Sequence, residues 1–432
     1  MSKREYKQID ETVYRETLPN GLQVILVPNQ AVSQTYALFT TEYGSIDQRF
    51  KPIGGKELIT VPDGIAHFLE HKLFEKEGYD VFQEFTKTGA SANAYTSFTK
   101  TAYLYSATTD IERNTKTLID FVQEPYFSEE SVENEKGIIE QEIQMYDDQP
   151  DWRAFFGILG AMYEKHPVRI DIAGTVESIN KITKDDLYTC YQTFYHPSNM
   201  ILTITGNFDP DDMLELVREN QAGKTFADLE EIQRHYPEEP IEVSQEYASI
   251  DMPVAVPKCM IGIKEVPEKD STEFVKNDLI ASMLLDYFYS KSGHYYQELY
   301  DLDLIDGNLG FETERQSQFA YSIIGGNTEN PERLAKKVKE QLATFKDYQL
   351  RREDFERMKR KAMGQIIRGM NSMSRIASEV TYYEMNGFDY FELLPTLDDL
   401  TLTEANQFLN NWIKDHNVAV LQVKGKTTSE NK

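Results

Sequence analysis

The same order of strands and helices occurs twice along this chain, and that repetition narrows its fold more than composition does. In the first half LQVILV and YALFTTEYGS read as strands. Helical patterns follow at PDGIAHFLEHKLF and YDVFQEFTKTG, then strand-like SANAYTSFTKTAYLYSAT, then helices at IERNTKTLIDFVQEPY and from Ser128 to about Tyr146. A helix–loop–strand–helix series closes this half at DDMLELVREN. The second half has strand-like EYASIDMPVAVPKCMIGIKEVP, a helical run from EFVKNDLI to DLDLI and strand-like FETERQSQFAYSIIGGN. Helices at NPERLAKKVKEQLATF and RREDFERMKRKAMGQIIRGMNS and a final strand, NVAVLQVKG, complete it. Between the halves lies GKTFADLEEIQRHYPEEPIEV, charged, proline-bearing and weakly periodic, as a linker is. The expectation is an α+β protein of two related domains, each a mainly antiparallel sheet packed with helices. Residues 1–222 form the first, 223–246 the linker and 247–432 the second.

A chain of 432 residues is too long for one ordinary core, which agrees with two domains. Its formal net charge of -27 speaks against nucleic acid or an anionic membrane as partner. Cys190 and Cys259 are far apart and lack metal-ligand spacing. The N-terminal MSKREYKQIDETVYRETL has no apolar core of a signal peptide, and no run is long enough to span a bilayer. A cytoplasmic protein is expected.

At 100° per residue, PDGIAHFLEHKLF places Ile65, Phe68, Leu69 and Leu73 on one side of a helix. His67, Glu70 and His71 cluster on the other, and Asp63 is the predicted N-cap, with Pro62 just outside. A solvated polar face would look the same. Yet two histidines at i and i+4 with a glutamate between them can hold a metal and keep a base beside it, and H-x-x-E-H is a zinc-peptidase signature.

A catalytic zinc needs a third protein ligand. On the helix SEESVENEKGIIEQEIQMYDD the wheel predicts an apolar face of Val132, Ile138, Ile139, Ile143, Met145 and Tyr146. Glu135 and Glu142 fall inside that face, and Glu133 and Glu140 fall outside it. A buried carboxylate is costly unless it is paired or metal-bound. The two are seven residues apart, about 10.5 Å along the helix, so only one is expected to reach an ion.

His67-Phe68-Leu69-Glu70-His71 followed by Glu135 and Glu142 resembles the pitrilysin or insulinase family of zinc metallopeptidases. The similarity is to its shorter branch, the size of one subunit of a mitochondrial processing peptidase. LPNGLQVILVP, GASANAYTSFTKTAYLYS, HPVRIDIAGTVESINKIT and YHPSNMILTITGNF extend it over most of the first half. The resemblance implies a clam-shell peptidase with one Zn2+ per chain, held by His67, His71 and Glu142. It implies Glu70 as general base and Glu135 as a supporting catalytic glutamate. It also implies an edge strand containing Asn93, Ala94 and Tyr95 that takes an extended peptide by β-augmentation.

One departure stands out. The family's second domain usually carries an arginine and a tyrosine seven apart that reach the substrate. The aligned positions here are Tyr300 and Gly307. Arg315 and Tyr321 are six apart in a later strand and are not a substitute. The expected partner is therefore a metal-free paralogue supplying the missing pair in a heterodimer, with a homodimer as second choice. The competing reading is a non-catalytic peptide-binding or scaffold subunit.

Overall fold

The computed structural model describes residues 1–7, 9–228 and 231–425. Strands β1 (Ser2–Tyr6), β2 (Glu11–Thr17), β3 (Gln23–Pro28), β4 (Thr35–Thr41), β5 (Ser91–Thr96), β6 (Thr101–Ala107) and β7 (Met200–Gly206) form a seven-stranded sheet. Its order is β1-β2-β3-β7-β4-β6-β5. Strands β8 (Tyr247–Met252), β9 (Lys258–Glu265), β10 (Gly310–Arg315), β11 (Ala320–Asn327) and β12 (Val418–Gly425) form a second sheet, in the order β8-β12-β9-β11-β10.

The two sheets share one topology. β3 runs parallel to β7 and β8 parallel to β12, and every other neighbouring pair is antiparallel. β3, β7, β4, β6 and β5 thus correspond to β8, β12, β9, β11 and β10. The duplication is present in the backbone, although it is not visible as identity between the halves.

Six helices matter for the site: α1 (Ile65–Leu73), α2 (Glu129–Asp147), α3 (Pro150–Met162), α4 (Ser271–Tyr289), α5 (Arg352–Gly369) and α6 (Met373–Met385). The apolar side of α1 joins a core built on the first sheet, through Ile65, Phe68, Leu69 and Leu73. Helix α4 does the same on the second sheet, through Phe274, Val275, Leu284 and Phe288.

Helices α3 and α6 are exchanged between the repeats. Helix α3 follows the first repeat's helices but packs across β8, β9 and β12. The approach is close, because a Cβ on Gly157 would meet Leu421 and Ile250 at 2.6 and 2.8 Å. Helix α6 packs instead across β4 and β7. Thr381 and Thr203 share a hydrogen bond of 2.8 Å there, and the Thr205 hydroxyl donates to the Met373 carbonyl at 2.8 Å.

The segment expected to be a linker is tied down along much of its length. Gln233 and Arg234 pair with Lys51 and Phe50 as a short strand. Glu239 accepts the backbone N–H groups of Glu164, Lys165 and His166 and pairs with Lys264 at 2.6 Å. Its proline and charge content reflects irregular backbone satisfied by side chains rather than a free tether.

Candidate metal centre

Helix α1 begins at a left-handed glycine, not at an aspartate cap. Gly64 has φ 87° and is the N-cap, with no side-chain capping bond. A Cβ there would meet the Ala173 carbonyl oxygen at 2.3 Å. The Asp63 carbonyl instead accepts from the Ser178 hydroxyl at 2.9 Å. The expected Asp63 cap gives way because the chain turns tightly against Ala173, which only glycine permits.

The polar side of α1 does not face solvent. Glu70 is buried, and the His67 side chain is 12% exposed. Helix α2 and strand β5 cover that side. Helix α2 is well started: Ser128 caps it and forms a reciprocal box with Ser131. Its buried line is narrower than the wheel suggested, consisting of Val132, Ile139 and Ile143. Ile138 and Met145, expected inside, are 56% and 51% exposed. Glu135 and Glu142 lie on one flank of the buried line, roughly 60–80° round the helix, and Ile138 and Met145 lie roughly 60° further on. The carboxylates therefore meet α1 while the two apolar side chains look outward.

Nε2 of His67 lies 3.7 Å from one Glu142 oxygen, and Nε2 of His71 lies 3.5 Å from the other. Atoms of these three residues come within 4.8 Å of one another, a grouping able to hold a metal ion. Donors at about 2.0–2.1 Å from a tetrahedral zinc stand about 3.4 Å apart, close to the two separations from Glu142, and the set as a whole would draw together to hold such an ion. His71 Nδ1 is 3.0 Å from Glu135, which fixes its ring and leaves Nε2 facing Glu142. His67 Nδ1 is buried without a hydrogen-bond partner, so this ring is held by packing.

The electrostatics hold His67 neutral, draw His71 the other way through the carboxylates around it, and make Glu70 more basic than a free carboxylate. Burial, helped by the neighbouring His71, pulls His67 down to about 3. Burial acts the same way on His71, but its bond to Glu135 and the charges of Glu70, Glu135 and Glu142 outweigh it and raise the pKa. Burial raises Glu70, opposed by the Thr96 hydroxyl, which donates to Glu70 at 2.6 Å, and by His71.

A cleft of about 440 Å³ opens beside the centre, lined by Glu70, His71, Phe74, Phe82, Asn93 and Ala94. Strand β5 pairs only with β6, so one edge is unpaired among the described residues. The Asn93 side chain is exposed, whereas Tyr95 packs toward Leu38, Ala102 and Ala377 on the face away from α1. Tyr300 is 51% exposed and Gly307 sits in a left-handed turn at φ 98°. Arg315 is committed to Glu265 and Asp278, and Tyr321 is buried, so neither is free to serve a site.

Sequence reasoning missed the supports. Lys72, fully buried, reaches Glu75 and the Ser131 carbonyl. Lys76 donates to the Phe121 carbonyl at 2.7 Å, and burial lowers it to about 8. The available signal was Lys72 falling between Phe68 and Leu69 on the helical wheel, inside the apolar stripe. Thr96 carried none.

Comparison with known proteins gives the family of the chain. Residues 61–176 match the insulinase (peptidase family M16) model, and 181–362 match the M16 inactive-domain model. The chain is 47% identical to YmfH of Bacillus subtilis, described as an uncharacterized zinc protease, over 98% of this chain and 99% of that protein. An M16-like peptidase structure from Alicyclobacillus acidocaldarius superposes with a TM-score of 0.92 at 39% identity, covering 96% of this chain and 98% of that one. A Helicobacter pylori protease shares the fold, with a TM-score of 0.83 at 19% identity over 95% of this chain and 99% of that one. The chain belongs to the insulinase, or M16, family of zinc proteases.

Proposed function

We propose that this chain is a zinc endopeptidase for peptides or unfolded segments, with His67, His71 and Glu142 as ligands of one zinc ion. The observation that carries this reading is the convergence of both Nε2 atoms on the Glu142 carboxylate, with Glu70 buried on the same side of α1. Zinc in such a donor set acidifies water and polarises a carbonyl. In this reading Glu70 is the general base: its carboxylate takes the proton from the attacking water and returns it to the leaving amine. Glu135 holds the His71 ring. The unpaired edge of β5 at Asn93, Ala94 and Tyr95 recognises extended backbone rather than particular side chains. Tyr95 contributes its backbone, since its side chain turns away.

In this reading residues 1–222 carry catalysis and 247–432 support it, joined by 223–246. Tyr300 and Gly307 supply no charged reach toward a substrate, which supports a heterodimer with a metal-free paralogue. Among the described residues no helix is long and apolar enough to cross a membrane. The buried, free Cys190 and Cys259 agree with the proposed cytoplasmic location.

The test is metal content together with cleavage of a quenched fluorescent peptide library by the purified chain. One zinc with chelator-sensitive cleavage supports a self-sufficient enzyme and removes the heterodimer. One zinc with cleavage only after a second subunit is added supports the heterodimer. Absence of zinc overturns the reading and leaves a peptide-binding scaffold.

A further inference from the structure

Thr96 is the last residue of β5, and its hydroxyl donates to Glu70 at 2.6 Å. The second repeat has a contact of the same design. Arg315 is the last residue of β10 and reaches Asp278 of α4 at 3.7 Å, as well as Glu265. The turns that follow match: the Ser97 N–H donates to the Lys100 carbonyl at 2.8 Å, and the Gln316 N–H to the Phe319 carbonyl at 2.8 Å. A tie from strand end to helix carboxylate is thus part of the repeat, while the residue that makes it differs. Arginine turns the carboxylate into a fixed counter-charge. Threonine donates one neutral hydrogen bond and leaves the other oxygen free.

Strand geometry adds a second link. Side chains alternate along β5, so Ala94 and Thr96 share the face toward α1. Ala94 lines the cleft beside Glu70, and Thr96 holds Glu70 itself. We infer that Thr96 is a positioning residue: it fixes the Glu70 carboxylate in its working orientation and thereby couples peptide seating on β5 to alignment of the base. The inference rests on the proposed role of Glu70. It explains why a short hydroxyl stands where the second repeat has a long cation.

The test uses T96V and T96S in the zinc-loaded full-length chain, together with its partner subunit if cleavage requires one. Three quantities are read: kcat and KM on a quenched peptide, zinc affinity by chelator competition, and the Glu70 side-chain position in crystal structures. T96V is expected to lower kcat by about 10²-fold, the scale of a misplaced catalytic group, with KM and zinc affinity nearly unchanged. Its Glu70 carboxylate turns out of the site, and T96S restores both rate and orientation. Unchanged kcat, an unmoved Glu70 or a rate loss that follows zinc loss overturns the inference. If the wild-type protein cleaves nothing while T96V alone displaces Glu70, the peptidase reading falls and the positioning role stands.

Discussion

Where the first repeat gathers two histidines and two glutamates, the second holds valine, leucine, methionine and glutamine. Taking Asp278 as the counterpart of Glu70, His67 and His71 correspond to Val275 and Leu279. Counting from the first residues of α2 and α5, Glu135 and Glu142 correspond to Met358 and Gln365. A cavity of about 220 Å³ persists there, lined by Asp278, Leu279, Met358 and Gln365 among others, with Arg375 and Glu379 at its side. The two sites share backbone and differ in donors. The topology therefore makes the hollow, and only the side chains decide whether it can take a metal. The lone acid kept by the second repeat is paired with a buried arginine, so it stabilises structure where Glu70 faces a cleft.

That contrast can be broken in graded steps. E70Q should lower peptide cleavage by about 10³-fold or more while zinc content stays at the wild-type level, measured by kcat and metal analysis on one preparation. Loss of zinc in E70Q would make Glu70 a ligand rather than a base. R315M leaves Asp278 and Glu265 without their buried cation and should destabilise the protein by about 3–5 kcal/mol, read from the denaturant midpoint. T96V, at the matching position, should cost only about 1 kcal/mol. Equal losses would erase the distinction between a structural tie and a functional one. E135Q should weaken zinc binding by about 10–100-fold in chelator competition, as expected for a group that only orients a ligand.

The smallest effect concerns pH. Burial pushes Asp278 up to about 6, opposed by Arg315 and reinforced by Glu379 and Glu265. The native state keeps a proton that the unfolded chain releases near 3.8. This contribution to stability is full below that value and is lost as pH rises through 6. D278N should make the fall of the urea midpoint between about pH 4 and about 6 shallower by one proton's share, whatever its overall offset. Glu314 and Glu11, both raised from 4.5 to about 7 by burial, keep the remaining slope from about pH 4.5 to about 7. An unchanged slope would remove Asp278 as the titrating group.

Much of the centre was legible because its chemistry fixes spacing. Histidines four apart, and carboxylates intruding on an apolar helix face, are patterns a single helix imposes on the sequence. What lay in tertiary contact was not. Ile138 and Met145 matched the helix period, but α1 leans on only one flank of α2, so they remained outside. Asp63 is a good capping residue overruled by a close approach to Ala173. Thr96 looks like any strand threonine until β5 is laid beside α1. Helices α3 and α6 were not predicted at all, since both halves were read from their strands and most polar helices.

The exchange of α3 and α6 has a consequence for how this chain is made. The underside of the first sheet, including Leu38, Ala102 and Thr203, is covered by a helix that begins at Met373. A ribosome delivers the residues of the first sheet long before that helix exists. During most of synthesis the first repeat therefore waits with an apolar face bare, a state in which nascent chains depend on chaperones or aggregate. Contacts this distant in sequence also make folding slow. Cutting the gene within 223–246 would give two fragments, each carrying a helix that belongs to the other. Each fragment would lack the helix that covers one face of its own sheet.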